Sequence, residues 1–154
     1  MALTIGVISD THGLLREEAL RELKGCSRII HAGDTGDPQI LETLGAIAPV
    51  DAVRGNIDRG AWAGALPLTQ VVQAEEASLY VLHNLADLDL DPAAAGFEAV
   101  ISGHSHRPKN ETRNGVLYLN PGSAGPRRFR LPVTLARLHV HGRSVRAEIV
   151  HLNP

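Results

Sequence analysis

The sequence has 154 residues, of which 44% are hydrophobic and 21% are charged, and its formal net charge is -2. This composition is ordinary for a globular protein and excludes an intrinsically disordered chain. No apolar run approaches the roughly 18 residues of a membrane-spanning helix, and the slightly acidic balance disfavours stable binding to nucleic acid. The length fits one domain, so we expect residues 1–154 to form a single domain with no membrane partner.

Two features of the sequence indicate the cellular compartment of the protein. The first ten residues, MALTIGVISD, lack the basic start and the long apolar stretch of a secretion signal. Cys26 is the single cysteine, so the chain cannot form an internal disulfide, which agrees with a reducing compartment. We therefore expect a cytoplasmic protein.

The first third of the sequence alternates predicted strands and helices. A β-branched, apolar run at 3–9 predicts a buried strand, and leucines at helical spacing predict a helix over 14–24. The same unit recurs, because a predicted strand over 27–34 precedes a helix that starts at Pro38. A third strand is expected over 50–58. This alternation predicts βαβ units and a mainly parallel sheet.

After residue 65, strands predominate. Residues 68–84 predict two strands joined by a turn, and residues 98–102 predict a short strand. Further strands are predicted within 115–123 and 132–152, without long helices between them. The whole pattern predicts an α/β fold in which a mixed β-sheet sandwich is flanked by helices.

Seven side chains with metal-binding chemistry follow the ends of five of these apolar runs. The carboxyl ends of parallel strands meet at one edge of a sheet, so residues scattered over about a hundred positions should converge there. Their carboxylate, amide and imidazole atoms suit Mn, Fe, Zn or Ni, and their number suits two ions that share a carboxylate. The seven residues are Asp10, His12, Asp34, Asn56, His83, His104 and His106. Asp34 is the expected bridge because it ends the middle of the first three strands.

These residues also have purely structural interpretations. Asp10 and Asp34 precede predicted helices and could be helix N-caps. Asn56 is a common turn residue, and His83 could be a buried histidine bonded to the backbone. Such interpretations give no reason for all seven residues to lie at strand ends and to come from one class of ligand.

The motifs that contain these residues make the chain resemble the calcineurin-like metallophosphoesterase superfamily, specifically its small bacterial and archaeal phosphodiesterase branch. The motifs are SDTHG at 9–13, HAGD at 31–34, RGNID at 54–58, LHN at 82–84, SGHSH at 102–106 and NPGS at 120–123. The resemblance implies a four-layer αββα fold. It also implies that Asp34 is shared between two metal ions, one held by Asp10, His12 and His106 and the other by Asn56, His83 and His104.

The implied activity is hydrolysis of small phosphodiesters by a hydroxide that bridges two divalent ions, with Asp34 and Asn56 acting through the metal centre. Mn is the metal we expect, with Ni, Fe, Zn and Mg as alternatives. Arg54 and Arg107 are candidates to contact a phosphoryl oxygen, since guanidinium groups pair well with phosphate. A phosphomonoesterase, a nuclease or a non-catalytic binding scaffold of the same fold is the alternative function, and self-association into a homo-oligomer is left open.

Two positions depart from the family pattern. Ile57 occupies the position at which larger members often carry a histidine that protonates the leaving group, so diesters with acidic leaving groups are the expected substrates. Asn84 and Leu85 replace the Gly-His pair that often follows His83 in relatives.

Other polar residues are expected to support the site or to lie in solvent. His31 is expected to orient a metal ligand rather than to bind metal, and Asp58 is expected to orient a histidine. Gly103 should allow a close backbone approach, and an extended segment would turn His104 and His106 to the same side. Three arginines and three histidines are expected to lie on a solvated surface: Arg127, Arg128, Arg130, His139, His141 and His151. For the arginines, contact with an anionic substrate is the alternative.

Overall fold

The computed structural model describes residues 2–154, which form two five-stranded β-sheets with a shared apolar core between them. The ten strands are β1 (Ala2–Ile8), β2 (Arg28–His31), β3 (Val50–Ala52), β4 (Thr69–Ala74), β5 (Ala77–Leu82), β6 (Ala99–Ile101), β7 (Lys109–Arg113), β8 (Val116–Asn120), β9 (Thr134–His141) and β10 (Ser144–His151). The helices are α1 (Glu17–Leu23), α2 (Pro38–Gly45), α3 (Ala61–Gly64), α4 (Pro92–Ala95) and a 3-10 helix at Leu85–Asp87.

Both sheets are mixed, as the sequence predicted. The first sheet has the order β10-β9-β1-β2-β3, in which β1, β2 and β3 are parallel and β9 runs antiparallel to β1. The second sheet has the order β4-β5-β6-β8-β7, in which β5, β6 and β8 are parallel and the two edge strands are antiparallel. The carboxyl ends of the parallel strands therefore share one edge in each sheet.

Three apolar clusters separate four layers. Buried side chains such as Val7 and Leu79 fill the space between the sheets. Helices α1 and α2 cover the outer face of the first sheet, where Leu23 and Leu44 join its buried residues. The outer face of the second sheet is covered by Phe97 and by leucines in and after the 3-10 helix. The αββα order is thus confirmed, with an outer layer on the second sheet that is made of short segments.

Local chemistry explains where the longer helices begin. Helix α2 starts at Pro38, and the Asp37 side chain caps it by accepting the Gln39 N–H at 2.9 Å. The N-cap position of α1 is Arg16. The interpretation of Asp10 and Asp34 as helix N-caps is therefore wrong, which removes the main structural explanation for two buried carboxylates.

Several elements differ in extent from their prediction. Helix α1 begins at Glu17 rather than at residue 14, and β3 ends at Ala52 rather than at residue 58. Strand β7, with the sequence KNETR, was not predicted because it contains no apolar residue, and it lies at an edge of the second sheet. None of the helices within residues 2–154 is long and apolar enough to cross a bilayer.

Candidate metal centre

The seven predicted ligands follow five strands of both sheets and meet at one end of the sandwich. Asp10 and His12 follow β1, Asp34 follows β2, and His83 directly follows β5. Two groups result, and within each group the possible ligand atoms all lie within 4.8 Å of one another. The first group is Asp10, His12 and His106, and the second is Asp34, His83 and His104.

Asn56 completes the second group. Its Oδ1 lies 3.2 Å from Nδ1 of His104. Both residues are exposed, whereas Asp10 and His106 of the first group are buried. The centre is therefore open to solvent on the side of Asn56 and His104, which is the side from which a substrate can approach.

Asp34 lies between the two groups. Its Oδ2 is 3.4 Å from Nε2 of His12 in the first group and 3.2 Å from Nε2 of His83 in the second. Its other oxygen, Oδ1, accepts the backbone N–H of Ile57 at 3.0 Å. One carboxylate oxygen is thus fixed by the backbone while the other faces imidazoles of both groups.

Asp10 is held in the same manner. Its Oδ2 accepts the Ser9 hydroxyl at 2.7 Å and the backbone N–H of His104 at 3.1 Å. Its Oδ1 is 3.4 Å from Nε2 of His106 and 3.7 Å from Nε2 of His12. Each carboxylate therefore directs one oxygen to the centre and anchors the other.

Several buried atoms that face the centre lack hydrogen bonds. Among the side chains of residues 2–154, five buried atoms have no hydrogen-bond partner, and three of them are Asp10 Oδ1, His12 Nε2 and His83 Nε2; the other two are His106 Nδ1 and, away from the centre, Arg28 Nε. An unsatisfied buried polar group costs about 1–3 kcal/mol, so three of them around one space are a considerable loss of stability. Divalent cations would satisfy them, and the oxygen and imidazole donors suit such ions.

The electrostatics of the centre favour a cation. Burial alone would raise the pKa of Asp10, but the neighbouring His12 and the Ser9 hydroxyl bring it below its ordinary value. Burial acts in the same way on Asp34, and His83 and the Ile57 N–H lower the pKa of that carboxyl. Both carboxylates are therefore ionised at neutral pH, so the centre holds two negative charges in a partly buried space.

The tautomer of His83 is set by a backbone contact. Its Nδ1 lies 2.8 Å from the carbonyl oxygen of Ala32 and donates to it, which leaves Nε2 directed at Asp34. Burial lowers the pKa of His83, but the contacts with Asp34 and with the Ala32 carbonyl outweigh this and raise it overall. The bond from Nδ1 leaves Nε2 as the ring atom that can bind a cation at the centre, and such a cation would compete with a proton for it.

The ligand residues have unusual backbone conformations. Within residues 2–154, eight non-glycine residues have positive φ, and five of them are predicted ligands: Asp10, His12, Asp34, His104 and His106. This conformation is costly for residues with a Cβ and concentrates at functional sites. Hydrogen bonds between loops maintain it, since Asp10 N–H donates to the Gly33 carbonyl and His12 N–H to the Asp34 carbonyl, both at 3.0 Å.

The prediction of an extended backbone at His104 and His106 is wrong, although both side chains reach the centre. His104 has φ of 71° and His106 has φ of 62°. The Ser105 N–H donates to the Gly103 carbonyl at 2.8 Å, which forms a tight three-residue turn around His104. The two imidazoles therefore diverge to different groups because the backbone turns between them.

Glycines bring the ligand loops into contact. A Cβ on Gly103 would lie 2.6 Å from Asp10 Oδ2 and would overlap the Ser9 hydroxyl, so the predicted close approach at this residue is present. A Cβ on Gly55 would overlap the Asp34 side chain and backbone. These two positions exclude any larger residue without displacement of a carboxylate.

The Asp58 side chain accepts hydrogen bonds from backbone N–H groups rather than from the side chain of a predicted ligand. Asp58 accepts the backbone N–H groups of Asp34 at 3.1 Å, Gly36 at 2.9 Å and Gly55 at 2.8 Å. The expectation that Asp58 orients a histidine is therefore wrong, and it acts on the loop that carries Asp34.

His31 is fully buried and joins the first two ligand loops. Its Nδ1 accepts the Gly33 N–H at 3.1 Å, and its Nε2 lies 3.0 Å from the Thr11 hydroxyl. Burial lowers the pKa of His31 to about 4, and the nearby Asp10 and Asp58 only partly oppose this. The ring is therefore neutral at pH 7 and bridges the loops that contain Asp10 and Asp34.

The NPGS motif supplies two further supports whose contacts the sequence did not predict. Asn120 Nδ2 donates to the Gly103 carbonyl at 3.0 Å and to the Ser105 hydroxyl at 3.1 Å. Its Oδ1 accepts the Gly122 N–H at 2.9 Å. The Ser123 hydroxyl donates to the Asp10 carbonyl at 3.0 Å. The motif thus fixes ligand loops of both groups.

Two cavities adjoin the exposed side of the centre. One, of about 440 Å³, is lined by Arg54, Asn56 and His104 together with the apolar Leu68. The other, of about 420 Å³, is lined by His104 and Arg107. The two predicted phosphate contacts therefore line different cavities, both of which also include His104. Asn84, which departs from the family pattern, lines both cavities and accepts the Ala86 N–H at 3.1 Å.

The remaining histidines lie on the last two strands rather than in the centre. His139 on β9 is 3.2 Å from Glu148 on β10, and His141 and His151 are exposed. The interpretation of this hairpin as a surface is consistent with their position.

Comparison with known sequences agrees with the family that the motifs of this chain resemble. The sequence model of the calcineurin-like phosphoesterase superfamily domain matches residues 3–143. The chain is 31% identical to a probable metallophosphoesterase from Methanothermobacter thermautotrophicus, over 96% of this chain and 92% of that protein.

Solved structures share the fold at lower identity. An archaeal phosphodiesterase superposes with a TM-score of 0.79 at 21% identity, over 96% of this chain and 100% of that one. Vacuolar Protein Sorting 29 from Cryptosporidium parvum superposes with a TM-score of 0.81 at 18% identity, over 99% of both chains. Together with the match of the family model and the curated relative, these findings place the chain in the calcineurin-like phosphoesterase superfamily.

Proposed function

We propose that the protein is a metal-dependent phosphodiesterase that hydrolyses small phosphodiesters with two divalent ions. The observation that carries the proposal is the position of Asp34, whose Oδ2 is within 3.4 Å of imidazoles from both ligand groups. Asp10, His12 and His106 would hold one ion, Asn56, His83 and His104 would hold the other, and Asp34 would contact both. Bound ions would lower the pKa of water and offset charge on the phosphoryl group.

The side chains around the centre have defined tasks in this proposal. Arg54 and Arg107 line the two cavities beside His104, where either guanidinium can meet a phosphoryl oxygen. The Ile57 N–H fixes Asp34, but its side chain carries no proton for a leaving group. Loss of a general acid typically costs about 10²–10⁴ in rate, so diesters of acidic alcohols such as phenols are the favoured class.

The size of the cavities limits the class of substrate, and the chemistry of the ligands limits the choice of metal. Cavities of about 420 and 440 Å³ suit a small molecule. Mn is our first choice of metal because carboxylate, amide and imidazole donors occur together, and Ni, Fe, Zn and Mg are the alternatives. The phosphodiesterase among the structural relatives agrees with a diester substrate.

A binding scaffold of this fold is the second candidate, suggested by the likeness to Vacuolar Protein Sorting 29. The unsatisfied buried atoms argue against it. A scaffold would gain stability by losing Asp10 Oδ1, His12 Nε2 or His83 Nε2, yet all three are retained.

The decisive experiment compares substrates and metals on chelator-treated protein. Mn²⁺, Ni²⁺, Zn²⁺ and Mg²⁺ would each be added with bis-p-nitrophenyl phosphate, p-nitrophenyl phosphate or a cyclic nucleotide. We expect turnover of the aryl diester in Mn²⁺ to exceed turnover of the monoester, and calorimetry to show two ions per chain.

Three variants test whether this centre is responsible. Asp34→Asn and His83→Ala should abolish diester turnover and weaken metal binding, whereas His139→Ala removes an imidazole on β9 and should change neither. Equal rates for wild type and both centre variants would refute the proposal. Faster turnover of the monoester would instead support a phosphomonoesterase.

A further inference from the structure

The arginine–phenylalanine loop, residues 126–131 with the sequence PRRFRL, starts beside the metal centre. A Cβ on Gly125, the preceding residue, would lie 2.6 Å from the Asp10 carbonyl oxygen and would overlap that of Thr11. Nε and Nη2 of Arg16 both donate to the Gly125 carbonyl at 3.2 Å. The start of the loop is therefore fixed against the ligand Asp10.

Phe129 occupies a position that folding does not explain. It is 93% exposed, although burial of a phenylalanine typically stabilises a protein by about 1.5–3 kcal/mol. Its φ is 53°, and it lies in a turn closed by a 3.0 Å hydrogen bond from Leu131 N–H to the Arg128 carbonyl. A turn position with positive φ normally carries glycine or asparagine. An aromatic ring is thus displayed in solvent at a conformational cost.

The arginines of the loop are free to bind an anion. Arg127, Arg128 and Arg130 are exposed, and the ion pairs with carboxylates formed within residues 2–154 involve other arginines. The loop that follows Gly125 therefore offers three positive charges to an anion.

The loop can reach a molecule bound at the centre. Phe129 is four residues from Gly125, so their Cα atoms are separated by at most about 14 Å. The sugar and base of one nucleotide can span the gap between a phosphoryl group at the centre and this ring. An aromatic face stacks on a nucleobase, and arginine pairs with phosphate.

We propose that the arginine–phenylalanine loop binds the nucleoside portion of the substrate, with Phe129 stacked on the base, so that the substrates are nucleotide phosphodiesters. This inference rests on the proposed phosphodiesterase function. A lipid-like substrate would need a continuous apolar surface, whereas here a single ring is surrounded by three charges. A long nucleic acid would need a broad basic face, which a net charge of -2 does not favour.

Two substrates with the same leaving group test the inference. Thymidine 5′-p-nitrophenyl phosphate and ethyl p-nitrophenyl phosphate both release p-nitrophenolate, and only the first carries a nucleoside. Phe129→Ala should raise KM for the thymidine ester by about 5- to 100-fold, with kcat little changed, because stacking is lost. The same variant should leave KM for the ethyl ester unchanged. Phe129→Tyr keeps the ring and should behave as wild type.

Controls separate this inference from the proposed function. Val71→Ala removes another exposed apolar side chain, 56% exposed on β4, and should not change the ratio of the two KM values. Calorimetric titration with thymidine 5′-monophosphate makes the same comparison without turnover, so the stacking step is tested even if neither ester is hydrolysed. Absence of hydrolysis would refute the proposed function alone.

Three results would overturn the inference itself. One is an equal effect of Phe129→Ala on both esters, or no effect on binding of the monophosphate. Another is a dimer in wild-type protein that dissociates in Phe129→Ala, because the ring would then be covered by a second copy. The third is a preference for single-stranded DNA over the monophosphate, which would assign the loop to a nucleic acid.

Discussion

Asn120→Ala should weaken metal binding at the centre, although Asn120 is not one of the predicted ligands. Asn120 is 5% exposed, and its side chain bonds the loop that carries His104 and His106 and the turn at Gly122. Truncation removes two donated hydrogen bonds and one accepted bond. The buried Gly122 N–H then loses its partner, whereas the Gly103 carbonyl loses one of two bonds and keeps the Ser105 N–H.

The expected magnitude follows from these contacts. An unsatisfied buried polar group costs about 1–3 kcal/mol and a typical hydrogen bond contributes about 0.5–1.5 kcal/mol. The unpaired Gly122 N–H and the lost bond to the Gly103 carbonyl should therefore together lower the free energy of unfolding of metal-free protein by about 2–4 kcal/mol. The released loop holds two histidines at positive φ, a conformation that relaxes when its support is removed. Loss of such an outer support typically weakens metal binding by about 10- to 100-fold.

Urea denaturation and calorimetric Mn²⁺ titration would measure the two effects. Asn120→Asp keeps an acceptor for Gly122 but loses both donors, so its metal affinity should fall nearly as far as that of the alanine variant. Asn110→Ala is the matched control, because Asn110 is exposed on β7 and makes a single 2.9 Å bond to the Ala147 carbonyl. Wild-type stability and Mn²⁺ affinity in Asn120→Ala would refute the reasoning.

Three further predictions concern a glycine substitution, the pH dependence of stability and the effect of metal on stability. Gly55→Ala should displace Asp34 and destabilise the fold by about 1–3 kcal/mol, whereas Gly45→Ala, where a Cβ meets nothing within 4 Å, should be tolerated in the same urea assay. The pKa of His31 is about 4 when folded and 6.5 as a free side chain, so the unfolded state binds more protons between these values. Metal-free protein should therefore lose about 3 kcal/mol of stability as pH falls from 6.5 to 4, and a His31→Gln variant that does not flatten this slope would contradict the assignment. Mn²⁺ at a hundred times its Kd should raise the free energy of unfolding by about 2.7 kcal/mol for each bound ion, and an unchanged Tm after chelation would count against a metal in this centre.

The ligand residues were predictable because their signal is local. Each follows an apolar run, and parallel strands bring such positions to one edge, so the convergence of Asp10, Asp34 and His83 follows from residue order and strand direction. Carboxylate and imidazole chemistry then indicates a metal. The same reasoning could not exclude that Asp34 is the N-cap of helix α2, because the true N-cap, Asp37, lies only three residues further along the chain.

The backbone of the centre was not predictable because its causes lie far apart in the sequence. Positive φ at Asp10 depends on a bond to Gly33, and the turn at His104 depends on Asn120. Strand β7 is specified by pairing with β8 rather than by its own polar residues. Local patterns carry no information on such contacts, which exist only after the sheets have packed.

The division of the ligands between two sheets constrains when the metal centre can form during synthesis of the chain. Asp10 and His12 follow a strand of the first sheet, whereas His104 and His106 follow a strand of the second. Strand β1 also needs β9, which begins at Thr134, as its neighbour. We therefore expect that a nascent chain on the ribosome that has not yet exposed residue 134 lacks the finished arrangement of the proposed ligands, so that metal binding would be a late step.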